Sequence, residues 1–323
     1  MSSTYYIAAD GGGTKLLTVL YDENFRVLRS ARVAGVNTLY KPAEMVRANV
    51  ESMVEDLLAG LTSDGNLPIV QSADLCMIGS ENIMGQALKK HANVLSLRFY
   101  GEHVVGLAAS LKTSGVLALS GTGSDAFFVK DGRSICSVGG WGPLLGDEGS
   151  GYEIGLRSLK AAIYSSDGRR EKSMLYDLIK EEWGLNDLWD MVRPLATDPD
   201  ARHKVASVAR LCSKAAHAGD QTAIRIYEHA ALEMAIQART VIEKHRSEWD
   251  GTVAVTGSAW KGHPRMFEVF AREIELNYPE AKVCPPVYEA VVGCVVLRAL
   301  SEGVCPDTLK VALDKGFGDF LYR

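Results

Sequence analysis

The stretch YYIAADGGGTKLLTVLYD, residues 5–22, decides the fold of this chain. An apolar run ends at Asp10, the turn GGGTK follows, and a second apolar run begins. Residues 6–35, YIAADGGGTKLLTVLYDENFRVLRSARVAG, extend this stretch by one more predicted strand and have the same organisation as residues 116–140, VLALSGTGSDAFFVKDGRSICSVGG. Both patterns predict strand, glycine turn, strand, Asp-containing turn and strand, which is typical of a duplicated supersecondary unit. The alternative is chance similarity between two β-meanders, since glycine turns are common in hairpins.

The glycine turns do not fit the standard nucleotide motifs. DGGGTKL lacks the earlier glycine that the P-loop pattern GxxxxGK[ST] requires. GTGSDA, residues 121–126, satisfies the dinucleotide pattern GxGxxA, but that pattern needs a following helix, and FFVKDG predicts a strand. What remains is a hairpin that binds phosphate without a helix. Two related units that face each other would put two such turns across one cleft.

The residue types in the turns suit a phosphate ligand. Glycines let the main chain approach a phosphate and direct its N–H groups at it. Thr14 and Ser124 add hydroxyl donors, whereas Lys15 either pairs with phosphate or is simply solvated. Asp10, at the end of a strand, suits Mg²⁺, which favours few carboxylates together with phosphates and water.

Composition and charge disfavour several classes of binding partner. The 323 residues include 35 Lys and Arg against 40 Asp and Glu, a net charge of −5, which disfavours a nucleic-acid partner. No apolar run reaches the length of a membrane span and no signal peptide is evident, so no membrane partner is expected. The six cysteines form no CxxC pair, which favours a reducing, cytoplasmic setting.

The order of predicted elements indicates two α/β domains. The first would span residues 1–114 and the second, larger one residues 115–323, with the extreme C-terminus packing back on the first. Helical periodicity covers residues 42–61 and 220–245, and the apolar stretch AVVGCVVLRAL, residues 290–300, predicts a buried helix. GTVAVTGSAW, residues 251–260, predicts another strand with a Gly-Ser loop.

These features resemble the actin/hexokinase/heat-shock-chaperone ATPase fold. DGGGTK, SGTGS and GGWGPLLGDEGSGYEIG resemble the N-acetylglucosamine kinase branch of the BadF/BadG/BcrA/BcrD ATPase family, over roughly residues 5–300. The resemblance implies two ribonuclease-H-like domains with a deep interdomain cleft, ATP and Mg²⁺ as cofactors, a small-molecule sugar substrate and a homodimer. The implied activity is phosphorylation of N-acetylglucosamine or a related amino sugar.

The resemblance also implies roles for individual residues. The ATP phosphates would contact Asp10, Gly11, Gly12, Gly13, Thr14, Lys15, Ser120, Gly121, Thr122, Gly123 and Ser124, with the metal at Asp10. The adenosine would lie at Gly257 and Ser258. The sugar would contact Asn37, Thr38, Ser80, Gly139, Gly140 and Asp147.

The catalytic base departs from the family pattern. Kinases of this family carry an aspartate at the end of the strand before the second phosphate unit, and the matching residue here is Glu102 in RFYGEHVVGLAAS. Glutamate has an intrinsic pKa close to that of aspartate, but its extra methylene moves the carboxylate by about 1.5 Å. The neighbouring His103 is an alternative base, or a packed core histidine.

Several alternatives stay open at this point. Asp147 and Glu148 could open a helix that begins near residue 147, Asn37 could be only a turn residue, and Trp141 could wall a sugar pocket or lie in the core. A reductase-activator ATPase would need cysteines beside the second phosphate loop, and LSGTGSDAF contains none. A sensor that binds sugar or nucleotide without turnover is the other alternative.

Overall fold

The computed structural model describes residues 4–13, 15–38, 41–61 and 66–322. The chain divides into two compact units, of which the first combines Met1–Thr113 with Pro286–Arg323 and the second comprises Ser114–Pro285. The strands are β1 Tyr5–Gly11, β2 Lys15–Asp22, β3 Val27–Ala34, β4 Ile69–Met77, β5 Asn93–Val94, β6 Leu97–Tyr100, β7 Gly115–Ser120, β8 Ser124–Lys130, β9 Arg133–Gly139, β10 Thr252–Thr256 and β11 Lys282–Cys284.

The helices in the described part of the chain are α1 Ala43–Leu58, α2 Glu81–His91, α3 Glu102–Ala108, α4 Gly151–Ser166, α5 Met174–Trp183, α6 Val192–Thr197, α7 Ala201–Ser207, α8 Ala209–His217, α9 Gln221–Lys244, α10 Pro264–Asn277, α11 Ala290–Ser301 and α12 Pro306–Gly316. Short 3₁₀ helices cover Leu188–Met191, Ser258–Lys261 and Gly318–Phe320. None of the helices in these residues is long and apolar enough to cross a membrane.

The two sheets repeat one topology. The first has the order β3-β2-β1-β4-β5, with β6 also paired to β4, and the second has the order β9-β8-β7-β10-β11. In each, an antiparallel meander of three strands is followed by a parallel strand beside its first member. The repeated supersecondary unit predicted from the two glycine stretches is therefore confirmed.

The first sheet is covered on both faces. Successive side chains of β1 point to opposite faces of the sheet, so they enter two different cores. Ile7 and Ala9 face a core that includes residues of α1 and α2. Tyr6 and Ala8 face the opposite core, to which α11 and α12 contribute. Burial on both sides explains why β1 reads as a continuous apolar run and not as an alternating one.

Helix α11 explains where the C-terminal segment lies. It is buried over most of its length, as its apolar sequence predicted, and it packs on β1, β4 and α3. A Cβ at Gly293 would lie 2.1 Å from the carbonyl oxygen of Val105, so the two backbones touch at this point. Residues from Pro286 onward therefore belong to the first unit, whereas the sequence-based division returned only the extreme C-terminus to it.

The second unit is built around the long helix α9. The side chain of Asp220 caps this helix by accepting hydrogen bonds from the amides of Thr222 and Ala223. The helix predicted over residues 220–245 is thus confirmed, and its apolar face packs on β7, β8 and β9. The strand and Gly-Ser loop predicted over residues 251–260 are confirmed as β10 and the 3₁₀ helix that follows it.

Candidate functional site

The carboxyl ends of three strands meet at one edge of the first sheet. β1, β4 and β6 run parallel, with Asp10 beside Cys76 and Cys76 beside Tyr100. Asp10 lies at this edge within β1, Ser80 follows β4, and Glu102 follows β6. The fold therefore places three residues that are far apart in the sequence at, or just after, the carboxyl ends of neighbouring strands.

Asp10 is a carboxyl group with an unusual environment. Burial raises its pKa to about 6, and the positive charge of Lys15 and a hydrogen bond from the Cys76 thiol oppose that rise. The Lys15 ammonium lies 3.8 Å from a carboxylate oxygen of Glu289, the residue just before α11. Asp10 thus shares its surroundings with one cation and with a second acid that adds to the upward shift.

Glu102 lies in the first turn of α3, directly after β6. Desolvation raises its pKa, and the negative charge of Asp10 raises it further. The side chain nevertheless keeps contact with solvent. A solvent-accessible glutamate with a raised pKa suits a general base.

The neighbouring histidine has a different setting. Desolvation lowers the pKa of His103. A Cβ at Gly101 would lie 2.4 Å from Cε1 of the His103 ring, so the ring packs against the preceding backbone. The charge of Asp10 acts on Glu102, which favours Glu102 as the base.

The predicted sugar loop contacts the segment after β4. The hydroxyl of Thr38 donates to the carbonyl oxygen of Gly79, and a Cβ at Gly79 would lie 3.3 Å from Oδ1 of Asn37. Asn37 and Ser80 are both buried. The Ser80 hydroxyl has no hydrogen-bond partner among the described residues, which leaves a buried donor for a ligand.

The first glycine turn contains two glycines with different surroundings. A Cβ at Gly11 would lie 2.8 Å from Cδ1 of Leu16 and 3.0 Å from Cγ2 of Val36, so packing requires glycine there. A Cβ at Gly12 would meet nothing within 4 Å. Thr14, which the sequence assigned to phosphate binding, lies outside the described residues.

The second glycine turn also contains one glycine in open space and one glycine in a packed position. A Cβ at Gly121 would meet nothing within 4 Å, whereas one at Gly123 would lie 2.8 Å from Oδ1 of Asp147. The hydroxyl of Ser120 donates to the carbonyl of Gly149 at 2.7 Å, and that of Ser124 donates to the carbonyl of Glu148 at 2.6 Å. These two hydroxyls hold the turn to the segment before α4, which is a different role from the phosphate donor expected of Ser124.

Asp147 lies before α4 and not inside it. The residue has a left-handed backbone with φ 61°, and the helix begins at Gly151 after the Ser150 cap. The alternative of a helix that begins near residue 147 is therefore wrong. Oδ2 of the buried Asp147 accepts a hydrogen bond from Arg202 at 2.8 Å, and Oδ1 lies 3.4 Å from the amide of Ser124.

The other expected contacts of the second unit lie around the same turn. A Cβ at Gly257 would lie 2.2 Å from the carbonyl oxygen of Ser120, which places the end of β10 against the turn, and Ser258 is exposed beside it. Gly139 and Gly140 both have left-handed backbones, and the amide of Gly140 donates to the carbonyl of Ser124. Thr122 accepts a main-chain hydrogen bond from Tyr152.

Trp141 is 75% exposed, so the interpretation as a core tryptophan is wrong. Leu144 and Leu145 in the same loop are exposed as well. An apolar loop of this kind, directly before Asp147, fits a wall for a ligand better than a packing element.

Three residues around the site were not found from the sequence. Arg202, Glu289 and Gln237 lie within or directly before helices and belong to no recognisable motif. Gln237 donates to the carbonyl of Glu148 at 2.9 Å and so supports the segment before α4. Only the tertiary contacts reveal these residues, since nothing in their local sequence marks them.

The described residues contain no group of three or more His, Cys, Asp or Glu side chains that could hold a metal ion. A cation at Asp10 would therefore need ligands that the protein does not supply, such as phosphate oxygens and water. That donor set is the one that Mg²⁺ favours in phosphoryl-transfer sites. The residues present thus fit a metal that arrives with a nucleotide.

Comparisons with known proteins show the family to which the chain is similar. The model of the BadF/BadG/BcrA/BcrD ATPase family matches residues 9–297. The N-acetylmuramic acid/N-acetylglucosamine kinase of Clostridium acetobutylicum is 28% identical over 307 residues, which cover 91% of this chain and 97% of that protein. The N-acetyl-D-glucosamine kinase of Dictyostelium discoideum is 27% identical over 320 residues, which cover 94% of this chain and 100% of that protein.

A solved structure shares the fold. The ROK family glucokinase from Streptomyces griseus, in complex with glucose and AMPPNP, superposes with a TM-score of 0.60 at 14% identity and covers 93% of this chain and 100% of that chain. The fold class predicted from the sequence is thereby confirmed.

Proposed function

Because the chain belongs to the BadF/BadG/BcrA/BcrD ATPase family, as its sequence motifs predicted, we propose that it is an ATP-dependent kinase of N-acetylglucosamine or a related amino sugar. The two curated relatives described above are named as kinases of N-acetylated amino sugars, and this chain matches almost their whole length. The proposal includes a homodimer in the cytoplasm, as the resemblance and the scattered cysteines suggest.

One observation carries the nucleotide part of the proposal. Gly12 and Gly121 have no positive φ, and a side chain at either would meet nothing within 4 Å. Neither the backbone conformation nor the packing of the protein requires glycine at these positions. A ligand whose phosphates approach the main chain closely would require it, which explains one open glycine in each of two related turns.

The residues of the first unit have distinct roles in the proposal. Glu102 accepts the proton of the acceptor hydroxyl, and Asp10 holds Mg²⁺ together with the ATP phosphates. Asn37, Thr38 and Ser80 bind the sugar, and the buried hydroxyl of Ser80 supports this role because it has no partner among the described residues. Gly11, Gly12, Gly13, Thr14 and Lys15 form the first phosphate turn.

The second unit supplies the rest of the proposed contacts. Ser120, Gly121, Thr122, Gly123 and Ser124 form the second phosphate turn. Gly257 and Ser258 lie at the adenosine, and Gly139, Gly140 and Asp147 lie at the sugar.

The chemistry follows from these roles. The sugar oxygen bonds to the γ-phosphorus while the bond from that phosphorus to the bridging oxygen of ADP breaks, and the hydroxyl proton passes to Glu102. Mg²⁺, when bound, neutralises charge on the phosphate oxygens. The amides of the two turns orient the phosphates, which is the main contribution of a protein to phosphoryl transfer.

Replacement of Gly12 or Gly121 by alanine should affect ATP binding without lowering the stability of the fold. We expect Gly12→Ala and Gly121→Ala to leave the free energy of unfolding unchanged or higher by about 0.4–1 kcal/mol, because alanine restricts the unfolded chain. ATP affinity should fall at least about tenfold, which corresponds to about 1.4 kcal/mol. Calorimetric titration with ATP and urea unfolding measure the two effects.

Gly318 provides the matched control, since it also has no positive φ and its Cβ would meet nothing within 4 Å. Gly318→Ala should keep wild-type ATP affinity. Full ATP affinity in both turn variants would refute the placement of phosphates at these glycines.

A further inference from the structure

Arg202 reaches the second phosphate turn from a distant part of the chain. Its Nη2 atom donates to Oδ2 of Asp147 at 2.8 Å, and the Asp147 carboxylate is almost fully buried. A Cβ at Gly123 would lie 2.9 Å from the same Nη2 atom and 2.8 Å from Oδ1 of Asp147. The ion pair therefore fills the space next to the Gly123 backbone that a side chain would otherwise occupy.

A close contact between two helices fixes where Arg202 lies. A Cβ at Gly155 of α4 would be 1.9 Å from the carbonyl oxygen of Val205 in α7, so the two helix backbones touch. Arg202 belongs to α7, and Asp147 lies four residues before the start of α4. Because α4 and α7 are in contact, the guanidinium and the carboxylate are presented to each other by a rigid pair of elements.

The first turn of α4 is also bonded to the phosphate turn. The amide of Gly151 donates to the carbonyl of Gly121 at 2.8 Å, and the amide of Tyr152 donates to the carbonyl of Thr122 at 3.2 Å. The amide of Ser124 lies 3.4 Å from Oδ1 of Asp147. The turn is thus held by main-chain bonds on one side and by the ion pair next to Gly123.

We propose that Arg202 is a positioning residue for the nucleotide: by holding the Asp147 carboxylate against Gly123 and Ser124, it keeps the second glycine turn in its phosphate-binding conformation. The inference rests on the proposed function only in that ATP or ADP binds at this turn. It gives Asp147 a nucleotide-side role in addition to the sugar contact implied by the family resemblance.

The physical reason lies in the burial of Asp147. A buried carboxylate that loses its cation becomes an uncompensated charge, and the surrounding backbone shifts to let water reach it. The backbone nearest to this carboxylate is the turn itself. Loss of the guanidinium should therefore disturb the main-chain amides that bind phosphate.

The test measures ADP affinity by calorimetry in the absence of sugar. We expect Arg202→Gln and Asp147→Asn each to weaken ADP binding by about tenfold, because either change breaks the same pair. The double variant should bind ADP about as weakly as each single variant, since the residues act as one unit. Arg202→Lys keeps a positive charge beside the carboxylate and should recover part of the lost affinity.

Arg210→Gln is the matched control, because Arg210 pairs with Glu182 on the exposed surface of neighbouring helices. It should bind ADP like the wild type. Circular dichroism and thermal unfolding check that each variant is folded, and if Arg202→Gln does not fold, Arg202→Lys and Asp147→Asn decide the question.

Two results would overturn the inference. Unchanged ADP affinity in folded Arg202→Gln protein would show that the pair does not position the turn. Weak binding in Arg202→Gln with normal binding in Asp147→Asn would show that Arg202 contacts phosphate directly and does not act through Asp147. Wild-type protein that binds ADP but phosphorylates no sugar would refute the proposed function, while the effects of these variants on ADP binding would still decide this inference.

Discussion

Replacement of Glu102 by glutamine should lower kcat for sugar phosphorylation by about two to four orders of magnitude, the usual contribution of a positioned general base. The change keeps the size of the side chain but removes its ability to accept the hydroxyl proton. Desolvation and the charge of Asp10 raise the pKa of Glu102, so the folded state disfavours its ionised form. The uncharged glutamine should therefore not lower the free energy of unfolding at pH 7.

The pH dependence of kcat follows from the raised pKa of Glu102. The base must be ionised to act, and its raised pKa places the acidic fall in kcat at a higher pH than an ordinary glutamate would. The negative charge of Asp10 contributes to this raised pKa. The fall in kcat at low pH that comes from protonation of Glu102 should be absent from the residual activity of the Glu102→Gln variant.

Glu44→Gln is the control for this substitution, because Glu44 lies in the first turn of α1, as Glu102 lies in the first turn of α3, and is exposed. It should leave kcat unchanged. Steady-state kinetics of both variants at saturating ATP and sugar give the comparison. A Glu102→Gln enzyme that keeps more than about a tenth of wild-type kcat would contradict the assignment of the base, since a general base contributes far more.

Asp10→Asn should produce a protein that is more stable and nearly inactive. Burial raises the pKa of Asp10 from 3.8 to about 6. Between these two pH values, the folded state keeps a proton at this site that the unfolded chain has already lost. The contribution of Asp10 to stability therefore falls as pH rises from about 4 to about 6 and stays low above that range. Since the side chain retains some solvent contact, we expect a gain of roughly 1–2 kcal/mol in the unfolding free energy at pH 7.

The same variant should lose at least about a hundredfold in kcat, because the carboxylate that the proposal assigns to Mg²⁺ is gone. Urea unfolding at pH 7 and at pH 4 measures the stability effect, which should shrink at the lower pH. Asp22→Asn, at the other end of the same hairpin, is the control. Asp22 accepts hydrogen bonds from the amides of Asn24 and Arg26, so its loss should not stabilise the protein. Unchanged activity in Asp10→Asn would contradict the metal assignment.

The architecture of both sheets could be predicted because it depends on local patterns. Glycine turns between apolar runs specify the hairpins β1-β2 and β7-β8, and their repetition in the sequence predicted the repeated topology. Helix α9 is long and has a clear helical periodicity, and helix α11 is strongly apolar. The positions of both helices were therefore predicted within a few residues. In each case a short window of sequence contains the information.

The parts that could not be predicted depend on contacts between distant residues. The Arg202–Asp147 pair joins positions 55 apart, and nothing near either residue indicates its partner. The sequence also could not show that Gly11 and Gly123 serve packing while Gly12 and Gly121 face open space, because that distinction depends on the neighbours Leu16, Val36 and Asp147. The alternative of a helix that begins near residue 147 was wrong because Asp147 adopts a left-handed backbone that non-glycine residues rarely take.

We propose that this chain transfers phosphate from ATP to an amino sugar. Coupled ADP release by the wild-type protein, measured with Mg²⁺ and ATP over a panel that contains N-acetylglucosamine, N-acetylmuramic acid, glucosamine and glucose, tests it most directly. We expect at least one amino sugar to raise ADP release to at least about ten times the sugar-free rate, with a phosphorylated sugar as the product, as a typical kinase turnover would give. ADP release that is the same with every sugar and without sugar would contradict it.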